Sequence, residues 1–406
     1  MGKYIDRMDA PPGGPGVRVL MAVPQYPYPI KGGLERQAHE LSKSLTQLGI
    51  EVQALSGMIN GGQAAFEQVE GIEVHRVPWS ANKALRFVRG PFDLFRVLIS
   101  KRDTFDVVHL HQISWFGLFV ILAARLLGKP VLTKLPNIGE SGIPGLAASR
   151  FGTLKIAIFK KSDAVVAMSS ESLAELRAIG FPPERVLAAP NGIRLSVDTV
   201  ESHCARPDPG VCRIVFVGRF SEEKLIEDLL HAFKRVTTSA SRPVRLELWG
   251  SGPLETDLKN LSLRLGIQGS VAFPGQVNDV RERLRKMDVF VLPSREEGNS
   301  NAILEAMDAG LPIVSTRVGG TPMLVGPHGA RLLAEPRDRD ALFARLMELV
   351  DDQDLRRQTG QAMRERVREC FDIDRIARIY LAAYLNLANG RRDQVANVSN
   401  AAVADA

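Results

Sequence analysis

Short apolar runs alternate with amphipathic stretches along almost the whole chain. Val17–Val23, Glu51–Leu55, Ile72–Val77, Phe105–His111, Lys129–Thr133 and Asp163–Met168 carry the apolar density of strands. The segments between them repeat apolar residues at helical steps, and Gly32–Gly49 reads as a helix closed by its glycine. The longest apolar run, Ile113–Ala124, is 12 residues and stops at Arg125. It is too short to span a bilayer and is expected to be a buried helix. Strands alternating with helices predict an α/β protein with parallel, doubly wound sheets.

Periodicity lapses between Asn191 and Pro209, and a second strand–helix series starts at Arg213–Val217. Two domains are therefore expected, 17–192 and 212–371, with a hinge over 193–211 and a last helix over 373–388. The polar, Pro/Gly-rich lead-in 1–16 and the small polar tail 389–406 are expected to be disordered.

The most informative chemistry lies between Ser294 and Pro312. Asp288–Pro293 reads as a buried strand, and a helical pattern begins at Asn301, with Ile303, Leu304, Met307 and Leu311 on one face. Asn299, Ser300 and Asn301 are N-cap candidates, and Gly310 with Pro312 ends the helix. Glu297 is thus placed on a loop at a strand's carboxyl end and Glu305 about one turn into the helix. Between them the helix start offers N–H groups suited to a phosphate. The spacing alone is equally that of an ordinary strand–loop–helix with solvated glutamates. The full string, continued through Val314–Gly320, resembles the E-x7-E segment of retaining glycosyltransferases of family 4, which have the GT-B fold.

Further segments follow the order of that family. Arg219 and Lys224 lie after the first strand of the second series, where their natural counterion is a diphosphate. Leu225 stands where family members usually carry glycine. Leu246–Pro253 enters a G-x-G-P turn, and Phe273–Val277 resembles the loop holding the nucleobase edge. Gly32 and Gly33 open a helix and match the family's Gly-Gly loop; alone they are equally a tight turn. His109 and His111 face one side of a strand. His109 reads as a core residue, and His111 matches the histidine near the transferred sugar. Asn191–Ile193 resembles the N-G-V segment, with Arg194 in place of a common aspartate, and Thr133–Ile138 lacks a usual Thr-x-His.

The resemblance implies two Rossmann-like domains facing a cleft, with the C-terminal helix crossing back to the first. It implies transfer of a hexose-type sugar with retention from a nucleoside-diphosphate sugar, UDP favoured and GDP-mannose an alternative, to a glycan or lipid-linked acceptor. It assigns catalytic roles to His111 and Glu297, and diphosphate contacts to Gly32, Gly33, Arg219, Lys224, Asn299 and Ser300. Glu305 takes the ribose, and Gly275, Gln276 and Val277 the nucleobase side. The cations already answer the diphosphate and no D-x-D motif that would hold a metal stands out, so neither a metal nor a cofactor is expected. A GT-B sugar-nucleotide epimerase and a non-enzymatic nucleotide-sugar binder are the rival readings.

Charge refines the picture. Residues 1–200 hold 23 Lys+Arg against 17 Asp+Glu, whereas the remainder balances at 29 each. Lys83–Lys161 concentrates the excess, 13 bases against 4 acids, mixed with bulky apolar residues. An anionic membrane surface suits that mixture better than nucleic acid, and solvated amphipathic helices suit it equally. The three cysteines, Cys204, Cys212 and Cys370, form no disulfide or metal spacing. A cytoplasmic protein, peripheral on the inner face of the membrane if bound there, is expected.

Overall fold

A computed structural model describes residues 16–26, 32–58, 63–79, 83–196 and 210–398. The lead-in up to residue 15, part of the loop before Gly32, and Cys204 lie outside the described residues. The chain divides into unit 1, Met1–Arg194 with Ile373–Ala406, and unit 2, Leu195–Asp372.

Unit 1 contains β1 (Arg18–Val23), α1 (Gly33–Gln47), β2 (Glu51–Met58), β3 (Phe66–Val69), β4 (Ile72–Pro78) and α2 (Lys83–Ser100). It continues with β5 (Val107–Leu110), α3 (Trp115–Leu126), β6 (Val131–Lys134), α4 (Ile143–Ala148), α5 (Gly152–Phe159), β7 (Ala164–Ala167), α6 (Ser170–Ala178) and β8 (Val186–Ala188). The sheet order is β3-β4-β2-β1-β5-β6-β7-β8. Every described pairing is parallel except β3 with β4. The edge hairpin of β3 and the three-residue β8 were not anticipated from the sequence. β3 alternates exposed and half-buried residues before Val69, too weak an apolar signal to stand out.

α3 packs its buried residues, Phe116, Leu118, Val120, Ile121 and Ala124 among them, against one face of the sheet, while its last turn, Arg125 and Leu126, is exposed. The other face is closed by α1 and the last helix, α14 (Ile373–Ala388, numbered after the helices of unit 2 given below), which carries Tyr380 and Tyr384 into the same core as Val19 and Met21. α14 therefore completes the first Rossmann-like unit although it follows the second in sequence. Its entry is fixed by the Ile373 amide donating to the Ile193 carbonyl at 2.9 Å. Gly192 is needed there, since a Cβ would lie 2.8 Å from the Ile373 Cα.

The tail beyond α14 corrects the expectation of disorder from residue 389. Residues to 398 are ordered against unit 1. Val395 is fully buried, Asp393 pairs with Arg185 at 2.9 Å, and Arg392 lies 3.4 Å from Asp163. One buried valine and two ion pairs hold a segment whose composition alone reads as a free tail.

Unit 2 contains β9 (Cys212–Val217), α7 (Ile226–Ser239), β10 (Val244–Trp249), α8 (Glu255–Arg264), β11 (Val271–Gly275), α9 (Val280–Leu284) and β12 (Val289–Leu292). Then come α10 (Asn301–Asp308), β13 (Ile313–Thr316), α11 (Thr321–Ala330), β14 (Leu333–Ala334), α12 (Arg339–Asp351) and α13 (Gln353–Cys370). Its sheet, β11-β10-β9-β12-β13-β14, is parallel throughout. Strand order reverses at β1/β5 in unit 1 and at β9/β12 in unit 2. Such switch points leave crevices at the carboxyl ends of the strands.

Candidate functional site

The loops following β9 and β12 flank the switch point of unit 2, and they bring the predicted cation and carboxylate together. Lys224, in a short 3-10 turn, donates from Nζ to Glu297 Oε2 at 2.6 Å. Ser294 adds a longer contact to the same oxygen, 3.3 Å. Both charged side chains are mostly buried, 17% and 13% exposed. Two opposite charges in a partly dry crevice stabilise each other, and each is a hydrogen-bonding group that a polar ligand can engage.

Three backbone features hold this pair in place. Leu225, directly after Lys224, adopts φ 48°, ψ 39° in the left-handed region, the conformation a glycine would take without strain. The chain therefore holds a leucine in a backbone conformation that costs it strain. Gly320 fixes the Glu297 loop: its amide donates to the Gly298 carbonyl at 2.9 Å, and a Cβ there would sit 2.5 Å from that oxygen. Thr316 Oγ1 donates to the Ser294 carbonyl at 2.5 Å. Ser294 and Gly320 were not singled out as functional; a Gly-Gly pair between strand and helix, opposite the Glu297 loop, was the available signal.

α10 begins as the sequence predicts. Ser300 is its N-cap, its hydroxyl accepting from the Ile303 amide at 3.4 Å, and Gly310 at φ 76° ends it. Asn299, Ser300 and Glu305 are all buried, and Glu305 lies on the second turn of α10. Asn301, the third cap candidate, is the first helical residue instead.

The G-x-G-P turn is locked onto the loop after β9. The Phe220 amide donates to the Ser251 carbonyl at 3.0 Å, and the Gly218 amide to the Trp249 carbonyl at 3.0 Å. Gly250 (φ 140°) and Gly252 allow this approach, since their Cβ atoms would lie 1.9 Å and 2.4 Å from the Gly218 and Phe220 oxygens. Gly275 ends β11 at φ 79°, its carbonyl accepting from the Gly250 amide at 2.8 Å, while Gln276 Nε2 reaches Ser251 Oγ at 3.2 Å. So the Gly275–Gln276–Val277 loop and the loop bearing Arg219 form one connected rim. Arg219 is exposed on it. Glu223 also belongs to this rim. Burial would raise its pKa, but the Ser221 hydroxyl, with Lys224 and Arg219 nearby, brings it below the usual carboxylate value.

In unit 1 the predicted residues occupy the other switch point. Gly32 is the N-cap of α1, and Glu35 crowds it, its Oε2 lying 2.8 Å from where a Gly32 Cβ would be. The loop residues 27–31 before it lie outside the described residues. His111 follows β5, its amide donating to the Ala22 carbonyl at 3.0 Å. Its ring lies tilted against that of His109, centroids 4.1 Å apart, and Nε2 is 3.4 Å from Met21 Sδ. His109 is a core residue as expected, with Nδ1 2.7 Å from the Tyr384 hydroxyl. Burial, and then Lys134, hold His111 well below its ordinary pKa, so it is neutral near pH 7. Lys134 is the group that sequence reasoning missed. It ends β6, donates to Asn191 Oδ1 at 2.7 Å, and burial pushes it down to about 7. Arg194 takes a different partner from the aspartate it replaces, lying 3.3 Å from Glu40 of α1.

Of the basic stretch Lys83–Lys161, the side chains of residues 83–88 lie outside the described set. No helix among the described residues is long and apolar enough to cross a membrane. Cys212 is buried, and Cys370 is half-buried.

The sequence matches the family described as Glycosyl transferases group 1 over residues 211–352, and the Glycosyl transferase 4-like domain over residues 32–192. The chain belongs to the group 1 glycosyltransferases, and its architecture is GT-B. It is similar to N-acetyl-alpha-D-glucosaminyl L-malate synthase of Bacillus anthracis, 26% identical over 372 residues, 89% of this chain and 95% of the relative. The fold is shared with sucrose-phosphate synthase from Thermosynechococcus elongatus, with a TM-score of 0.78 at 19% identity covering 92% and 100% of the two chains. It is shared also with Anabaena HepE, solved in complex with UDP-glucose, with a TM-score of 0.72 at 17% identity covering 91% and 99%. The protein is therefore a glycosyltransferase.

Proposed function

We propose that the protein transfers a hexose-type sugar, with retention, from a nucleoside-diphosphate sugar, UDP-linked in preference to GDP-linked, to a glycan or lipid-borne hydroxyl. The observation that carries the donor reading is the Lys224–Glu297 pair, 2.6 Å apart at the switch point of unit 2, with Glu305 buried in α10, the helix that follows the Glu297 loop. Arg219 and Lys224 are assigned to the diphosphate, Glu305 to the ribose and Glu297 to sugar hydroxyls. Asn299 and Ser300 contribute the helix start, and Gly275–Gln276–Val277 the base side. UDP is favoured over GDP because HepE, of the same fold, is solved with UDP-glucose.

In this reading the bond from the sugar's anomeric carbon to the diphosphate oxygen breaks as the acceptor oxygen bonds to that carbon on the same face. The acceptor proton passes to the departing diphosphate. Lys224 and Arg219 stabilise the negative charge that develops on that leaving group, which suffices without a metal ion. Glu297 is not a glycosidase carboxylate, because its companion Glu305 is assigned to the ribose rather than to the bond being broken. His111, held neutral, is assigned to a sugar hydroxyl as donor or acceptor. Gly32 and Gly33 keep their assignment to the phosphate side.

Thermal stability measured against UDP, GDP, ADP and their sugars tests the donor reading, because a ligand bound only by the folded state raises stability. Stabilisation by one nucleotide series, lost in Glu305→Ala, is the expected result. No response to any nucleotide would remove the donor site. Product analysis with and without added acceptor separates transfer from epimerisation.

A further inference from the structure

Unit 1 contains a cavity of about 570 Å³ at the carboxyl ends of β1, β4, β5 and β6. It is lined by Pro24 after β1, Trp79 after β4, Ile113–Phe116 after β5 and Leu135–Asn137 after β6, with α4 along one side. The indole of Trp79 meets Phe116 edge-on at 5.2 Å, and Trp115 stacks with Phe119 at 5.9 Å. The remaining lining polar groups are neutral amides and hydroxyls, and none of the lining residues is a carboxylate or histidine. Among the described residues its one charge is Lys155, whose Nζ lies 5.2 Å above the Trp115 ring and 2.6 Å from Ser149 Oγ.

We propose that this cavity holds the lipid part of the acceptor and that the acceptor is amphipathic: an alkyl or prenyl chain on a phosphate, bearing the hydroxyl that receives the sugar. The inference rests on the glycosyl-transfer reading and specifies its acceptor. A mostly apolar, aromatic chamber of this volume suits a hydrocarbon segment rather than a free sugar, whose hydroxyls would meet too few partners. A lone lining cation at its edge is complementary to a single anionic group. The wall continues outward in the same chemistry. Ser141–Lys161 holds four bases and no acid, and Phe151 and Leu154 within it are 57% and 53% exposed. Glu140, just before that stretch, is the nearest acid in sequence.

Two of the three tryptophans, Trp79 and Trp115, line the cavity, and the third, Trp249, is buried in unit 2. Intrinsic fluorescence of the full chain therefore reports occupancy. Hexyl, octyl and decyl phosphate, each below its micellar concentration, would be titrated against the uncharged alkyl glucosides of matching length and against glycerol phosphate. Affinity should rise roughly three- to fourfold per methylene. It should fall about tenfold in Lys155→Met and drop further in Leu146→Phe, which fills the chamber. Glycerol phosphate should leave the spectrum unchanged. Equal binding of glucosides and phosphates, no dependence on chain length, or binding unaltered in both variants would overturn the proposal. UDP stabilisation measured on the same samples keeps the two readings apart. UDP binding without alkyl phosphate binding sinks the acceptor assignment alone, and the reverse result sinks the donor site alone.

Discussion

Lys224 Nζ and Glu297 Oε2 lie 2.6 Å apart, so the cation and the carboxylate assigned to neighbouring parts of one ligand also satisfy each other. A donor must insert its diphosphate and sugar hydroxyls at the expense of that contact, replacing one charge-assisted hydrogen bond with several. Removing either partner then has unequal effects. Lys224→Ala should lower turnover roughly 10²-fold, on the scale of a lost oxyanion partner, and weaken nucleotide binding too. Glu297→Gln should lower turnover while leaving affinity for the nucleotide without its sugar nearly unchanged. Steady-state rates with nucleotide titrations separate the two, and near-normal turnover in Lys224→Ala would remove that residue from the diphosphate site.

Gly250 holds the turn against the Arg219 loop, at φ 140° with its missing Cβ 1.9 Å from the Gly218 oxygen. Alanine there meets both a strained backbone and a fixed carbonyl, so Gly250→Ala should destabilise by at least about 1–3 kcal/mol. Urea unfolding measures the loss. A variant as stable as the parent would mean that the two loops are not held together as described.

Leu225 sets two effects of similar size against each other. Its left-handed backbone costs roughly 1–2 kcal/mol relative to glycine. Its side chain, only 8% exposed, contributes about 1.5–3 kcal/mol by burial, and glycine would also make the unfolded chain more flexible. Burial and chain entropy together outweigh the strain. Leu225→Gly should therefore lower stability, by about 1–2 kcal/mol in urea unfolding. An increase would show that the strain dominates.

These residues also show what the sequence makes legible. Strand and helix positions around Glu297 and Glu305 are readable because a buried run, a capping serine and a terminal glycine are local signals. The departure at Leu225 is visible too, although only the backbone shows that the leucine takes the left-handed conformation. Lys134 is different. Its neighbours in sequence describe an ordinary strand end, and its burial comes from Asn191 and from the Tyr380 ring, 5.7 Å from its Nζ and 246 positions later. Likewise Val395 is buried by elements distant in sequence, so composition around it points to disorder. Contacts made by returning segments carry no periodic signature.

Lys134 gives unit 1 a stability that depends on pH. Burial pushes it from 10.5 down to about 7 in the folded chain, with Asn191 as its hydrogen-bond partner and neutral His109 and His111 nearby. Below pH 7 the lysine is charged in both the folded and unfolded states, and the folded state bears the full desolvation cost. Between about 7 and 10.5 the unfolded chain holds a proton that the folded chain has released. Stability contributed by this group therefore rises with pH through that window and is lost as pH falls through 7. Lys134→Met removes the titration and, at every pH, the Asn191 bond. The variant should gain most relative to the parent at pH 6–7, and the difference should shrink by up to about 1.4 kcal/mol per pH unit towards pH 10. Urea unfolding of both proteins across pH 6–10 reads this directly. A difference that stays constant, or widens with pH, would show that Lys134 is not held neutral by burial.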